Sequence, residues 1–441
     1  MTWSEVTDHL KMDELREVWA ILSPEDRVDG FRLLSREDAD DFFMSLSSYG
    51  QSDIILGVPP GERRLWMRQL APDDAADVLL EVEPEERAEL LSLLDEPTRR
   101  EVTALLAYAE DDAGGLMNPR FARVRPAMTV DEAISYLRRQ ARDQIETIYY
   151  IYVLDGDQYL RGVVSFRQLF RVPGDKRVDE VMETDVVSLP EDMDQEAVAR
   201  LMAQHDLGAM PVVDADGHMK GIVTVDDIVD VVQEEATEDI QKIGGMEALE
   251  APYLQTDFLT MIKKRGGWLA ALFIGEMLTA TAMGQYEDEV ARAVVLALFV
   301  PLIISSGGNS GSQASTLVIR AMALGEVRII DWWHVAGREL LAGLALGGLL
   351  ASIGFVRVLV WQGVFHSYGA HYMRIALTVS ISLVGVVTWG TLSGSLLPFL
   401  LRKLRFDPAS ASAPFVATLV DVMGLVIYFS VARLLLTGTL L

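Results

Sequence analysis

Cysteine is absent from all 441 residues, which excludes disulfides and thiolate metal sites. Histidine is scarce, at six. None of the six lies in an H-E-x-x-H pattern, so the zinc helix of a membrane metalloprotease is missing and no enzymatic activity is expected. The opening stretch, MTWSEVTDHLKMDELREVW, has neither a basic n-region nor an apolar h-region, so a cleaved signal peptide is not expected. Positive charge is also short. The formal net charge is -27, and it is uneven: 28 Lys and Arg face 56 Asp and Glu before residue 266, against 10 and 9 after it. An acidic soluble half repels nucleic acid and attracts cations. It is expected on the cytoplasmic side, with no nucleic-acid partner.

What is present after residue 266 is apolar. Five hydrophobic segments run roughly over 268–283, 292–323, 336–361, 373–400 and 412–436. The first is short against the ~20 residues a bilayer requires. Basic residues alternate with the connections: Lys263, Lys264 and Arg265 precede the first segment, Arg320, Arg328 and Arg338 surround the second connection, and Arg402, Lys403 and Arg405 occupy the fourth. The first connection, GQYEDEVAR, is acidic. The charge bias orients the N-terminus inside and the C-terminus outside a bacterial cytoplasmic membrane.

Residues 1–116 read as an acidic all-α domain. LSPEDR at 22, LSREDA at 34, LAPDDA at 70, VEPEER at 82 and LDEPTR at 94 repeat every 12 residues or a multiple of it. Ser23 and Ser35 suit helix N-caps with an acid three residues on, and Pro24, Pro72 and Pro84 suit first turns. Short helices at that spacing stack into a superhelix. Asp73 and Asp77, one turn apart, fall on one face.

Residues 117–235 hold a duplicated α/β unit: strand, helix, then two strands around an Asp-Gly-type turn, closing in Gly-[VI]-Val-[ST] and a helix. The closings are GVVSFRQLF and GIVTVDDIV. This unit resembles tandem CBS domains, which are regulatory modules that bind adenine nucleotides or cations. In nucleotide-binding members the closing Ser/Thr and an Asp three residues on hold the ribose. Thr224 and Asp227 match in the second copy, whereas Ser165 is followed by Gln168 in the first. The resemblance therefore implies at most one ATP site. Residues 236–266 are read as a connecting helix and 267–441 as a five-span domain.

In the second span, PLIISSGGNSGSQ, Pro301 and Gly307-Gly308-Asn309 are expected to break the helix and expose carbonyls, although small residues also permit close packing. In the fifth span, SAPFVATLVDVMG, Asp421 stands near the middle. A carboxylate there costs at least ~2.5 kcal/mol unless it faces protein, water or an ion. Glu276 is a second intramembrane acid.

Together, the helical N-domain, the CBS pair, GGNSGSQ and PFVATLVDVMG resemble the MgtE family of magnesium channels over essentially the whole chain. The resemblance implies a homodimer with a Mg²⁺ pore lined by the second and fifth spans, and a connecting helix that plugs the closed pore. It assigns Asp421, Ala417 and Asn309 to the pore. Regulatory Mg²⁺ falls by position to Asp73, Asp77, Asp194, Glu196, Asp206, Asp227, Glu235, Glu238, Asp239 and Asp407. Mg²⁺ favours octahedral oxygen ligation through one or two carboxylates and retained waters. One Asp per protomer at a two-fold axis supplies that set. A coupled secondary transporter or exporter of divalent cations (Mg²⁺, Co²⁺) is the alternative reading.

Overall fold

The computed structural model describes residues 10–141, 145–249 and 251–440. The chain divides into two compact units, 1–235 and 236–441.

In the first unit, helices begin at residues 12, 24, 36, 48, 60, 72, 84 and 96, so the 12-residue period runs through eight helices. The Ser23 and Ser35 side chains accept from the backbone amides of Asp26 and Asp38, each at 3.2 Å. Pro24, Pro72 and Pro84 occupy first turns, where the missing amide proton would be unsatisfied in any case. Leu79, Leu90 and Val102 share one buried core with Val198, Met202, Val223 and Ile228 of the second α/β copy.

Each copy forms a three-stranded sheet whose first pair is parallel and second antiparallel. The register repeats: Val153 pairs with Gly162 and Val212 with Gly221, each followed by a bulge. The glycine of each closing motif is needed for a close approach. A β-carbon on Gly162 would lie 2.7 Å from the Glu183 carbonyl oxygen, and one on Gly221 would lie 2.8 Å from that of Asn118. The expected Asp-Gly turn differs in detail. The positive φ angles fall on Gln158 and Gly217, because Asp155 and Asp214 each accept two backbone amides and shape the turn from its start.

Among the described residues of the second unit, five helices are long and apolar enough to cross a membrane: Phe258–Gly284, Val294–Ala323, Ile329–Phe365, Gly369–Lys403 and Ala413–Leu436. The first is longer than the hydrophobic segment suggests, because the ten residues from Phe258 that precede the segment continue into it as one helix of 27 residues, Phe258–Gly284. At 1.5 Å per residue it is about 40 Å long, beyond the ~30 Å of a hydrocarbon core.

Two helical expectations are corrected. Residues 236–266 are not one helix: the closing helix of the second copy, Val225–Ile243, runs past the unit boundary and ends at Ile243. Gly245 then takes φ +77°, which stops a helix at little steric cost, and the next helix starts at Phe258. Nor does GGN break the second span, which is regular α-helix from Val300 to Ala323 with Pro301 in its first turn. The irregular part lies earlier, as a 3₁₀ segment over Val294–Phe299. Packing explains the glycines. A β-carbon on Gly390 or Gly394 of the fourth span would fall on the carbonyl oxygens of Gly307 and Gly311, so the backbones touch, as small residues allow in membranes.

Candidate ion-binding sites

The first site lies in unit 1, where helix Pro72–Leu80 meets the closing helix of the second copy. The geometry follows from the sequence: Pro72 starts the helix, so Asp73, Asp74 and Asp77 occupy its first turns. Asp73 is buried. Burial, and then the nearby charges of Asp227, Asp74 and Glu146, push its carboxyl up to about 8. Asp77 is likewise pushed to about 8 by burial and by Asp74, Glu110, Asp227 and Glu234. Asp227 rises to about 7, burial outweighing its hydrogen bonds from Thr224. Asp74 and Glu146 are raised too, again by burial first, with Asp226 among the charges acting on both. Acids of four chain regions thus crowd one low-dielectric junction, where each disfavours ionisation of the others.

Asn118 spans this junction. It is fully buried, and its side-chain amide donates to Asp73 Oδ1 at 3.1 Å and Glu146 Oε2 at 2.8 Å. Neither Asn118 nor Glu146 is flagged by the sequence reading, since only the fold brings them to Asp73. Among the described residues, no three acids or histidines converge tightly enough to cage a bare ion. Facing carboxylates held at longer range suit a cation that keeps waters, as Mg²⁺ does.

The other regulatory candidates of unit 1 are dispersed. Asp194 caps helix Gln195–His205 by accepting from the amides of Glu196 and Ala197. Asp206 ends that helix at φ +52°. Glu196 pairs with Arg200 at 3.0 Å, and Glu235 accepts from Gln195 at 2.7 Å. The proposed nucleotide pair is engaged locally: Thr224 Oγ1 donates to Asp227 Oδ2 at 2.7 Å. Ser165 and Gln168 make the corresponding cap in the first copy.

The second site lies in the membrane unit. A β-carbon on Gly308 would sit 3.4 Å from that of Ala417 and 3.9 Å from Asp421 Oδ1. The second and fifth spans therefore meet beside the carboxylate, with no side chain of residue 308 in the way. Asn309 is next along, on the exposed side of its helix, in a polar row with Ser305, Gln313, Thr316 and Arg320. Ser312 and Ser315 donate to the carbonyl oxygens of Ala413 and Ala411 at 3.1 and 2.8 Å, clamping the start of the fifth span. The first span reaches the same place: a β-carbon on Gly275 would lie 2.9 Å from Thr418, and neighbouring Glu276 lies in electrostatic range of Asp421. Glu238, Asp239 and Asp407 belong to this unit as well. Lys242 pairs with both Glu238 and Asp407.

The family model described as "MgtE: Divalent cation transporter" matches residues 300–431. The MgtE intracellular N domain matches 10–111, and CBS domains match 113–175 and 178–234. The magnesium transporter MgtE of Thermus thermophilus is 44% identical over 367 residues, 82% of this chain and 79% of that protein. The chain belongs to the MgtE family. The Bacillus subtilis MgtE is 33% identical, over 83% of this chain and 79% of that protein. Among solved structures, the cytosolic domain of the Mg²⁺ channel MgtE in complex with ATP is 44% identical. It covers 50% of this chain and 90% of its own, with a TM-score of 0.47. A helical N-domain and a CBS pair thus precede the five apolar helices in this chain.

Proposed function

We propose that this MgtE protein conducts Mg²⁺ into the cell through a pore between two copies, and that intracellular Mg²⁺ closes it. The observation that carries the reading is Asp421. It stands in a membrane helix beside Gly308 and Ala417, next to an exposed polar row that ends in lipid unless a second copy covers it. Two such rows at a two-fold axis line a hydrophilic path, and two Asp421 carboxylates hold a hydrated ion. Relatives named magnesium transporters support Mg²⁺ as the cargo.

Closure follows from the acidic junction. Two unit charges 4 Å apart repel by ~4 kcal/mol at an effective dielectric of 20. Asp73, Asp74 and Asp77 therefore hold away from Asp226, Asp227 and Asp230 until protons or Mg²⁺ neutralise them. Switching a gate from mostly open to mostly closed needs ~5.5 kcal/mol of differential binding, within reach of several weak sites acting together. The N-terminal unit is then cytoplasmic and the C-terminus outside. The deciding experiment is Mg²⁺ flux into proteoliposomes, with Mg²⁺ varied on the cytoplasmic side. Flux that ignores that Mg²⁺ discards the gating.

One feature favours the alternative of a coupled carrier. Glu276 gives the membrane site a second carboxylate within electrostatic range of Asp421. Single-channel currents down a Mg²⁺ gradient would exclude the carrier.

A further inference from the structure

Lys242 stands between two carboxylates of the membrane unit. Its ammonium donates to Asp407 Oδ2 at 2.6 Å and pairs with Glu238, one turn back on the same helix. Both partners are held in place. Asp407 Oδ1 accepts from the Ala409 amide at 2.8 Å, capping the short turn Pro408–Ser410 that leads into the fifth span. Glu238 and Lys242 lie near the end of helix Val225–Ile243, and Ile243 packs with Ala409 and Ala411. Gly245 follows against Trp268 and Pro414, and Trp268 donates to Ser412 Oγ at 3.2 Å. The helix end thus rests on the entry to the fifth span through one buttressed ion pair and a small apolar contact.

We propose that Lys242 is a tethered cation that takes the place of a divalent ion between Glu238 and Asp407. It docks the helix end without Mg²⁺ and thereby sets the Mg²⁺ level at which the pore closes. The proposal rests on the gating reading above for its effect on flux, but not for the docking itself. Two carboxylates brought together need a positive charge between them. An ammonium on the same helix supplies it with three donors, at an effective concentration that free Mg²⁺ does not change. The dipole of the helix C-terminus favours a cation there as well. Mg²⁺ offers twice the charge but gives up its waters reluctantly. Glu238 and Asp407 then serve as a standing anchor, and sensing falls to the acidic junction of unit 1.

The absence of cysteine permits a direct test on the full chain. Spin labels are placed at Ile240→Cys and Phe406→Cys, two exposed positions flanking the pair. In EDTA the otherwise unaltered chain should give one short, narrow distance that added Mg²⁺ leaves unchanged. Lys242→Met should broaden and lengthen it in EDTA, and Mg²⁺ should restore it by bridging the freed carboxylates. Lys242→Arg should keep the short distance, as should the exchange Lys242→Asp with Asp407→Lys, which a purely structural role for the lysine stem would not achieve. In proteoliposomes Lys242→Met should need about threefold more Mg²⁺ to close, the scale of a partly exposed ion pair. A short distance in EDTA with Lys242→Met overturns the proposal. So does an unaltered chain that shows the short distance only with Mg²⁺. If the distances behave as stated while flux in the unaltered chain ignores cytoplasmic Mg²⁺, the gating reading fails and the docking stands.

Discussion

Gly394 of the fourth span faces the carbonyl oxygen of Gly311 so closely that a β-carbon at residue 394 would overlap it. The same contact recurs one turn away between Gly390 and Gly307. Residue 394 therefore tolerates nothing larger than hydrogen. Gly394→Ala should cost about 1–3 kcal/mol by overpacking, seen as a lower unfolding temperature in detergent. Gly348, with open space around its position, is the control: Gly348→Ala should leave that temperature unchanged. Equal temperatures for both variants would show that the spans do not pack in this way.

Asp421→Ala should abolish Mg²⁺ uptake into liposomes, while the variant elutes and melts like the parent. Asp421→Asn should keep the shape of the site but lose its charge, and fail equally. Uptake at the parental rate in either variant would remove Asp421 from the ion path.

The acidic junction makes a pH prediction with a definite sign. Asp73 and Asp77 titrate near 8 in the fold, against ~3.9 for an unfolded Asp. Between those values the native state binds more protons than the unfolded one, so stability falls as pH rises through that window. In EDTA, the first thermal transition of the full chain should move down steadily from about pH 5 to pH 8. Mg²⁺ should flatten the trend by replacing the protons. A profile without slope in EDTA would mean that these carboxylates are already separated and hydrated.

For nucleotide, the expectation is at most one ATP per chain. Thr224 Oγ1 donates to the Asp227 carboxylate, whereas in the first copy the Ser165 hydroxyl accepts from the Gln168 backbone amide and the uncharged Gln168 side chain accepts from the Ser165 amide. Calorimetry should therefore find no more than one site, and Asp227→Ala should eliminate it. Two sites, or one that survives the substitution, would contradict this.

Removing the junction acid Asp227 together with the acids of the helix end, where Glu238 anchors Lys242, should raise the Mg²⁺ needed for closure. Asp227→Asn combined with Glu238→Gln and Asp239→Asn should keep flux running at Mg²⁺ concentrations that silence the parent. Closure at the parental concentration would place the latch elsewhere.

Much of this protein is local in its causes, and so legible along the chain. The 12-residue period follows from caps and prolines acting within one turn. The five spans follow from length and apolarity. The repeated register follows from two copies of one pattern, and the weight of acid before residue 266 from counting alone. Asp421 is conspicuous because a carboxylate in an apolar run is costly wherever the helix packs. The tertiary structure decided what depends on distant partners. Whether glycines break a helix or admit a neighbour turns on what lies opposite, and Gly390 and Gly394 lie opposite Gly307 and Gly311. Asn118 reaches Asp73 across 45 residues and Lys242 reaches Asp407 across 165. Hydrogen bonds and ion pairs are short-ranged and directional, so no spacing in the sequence announces them until the fold has closed the distance.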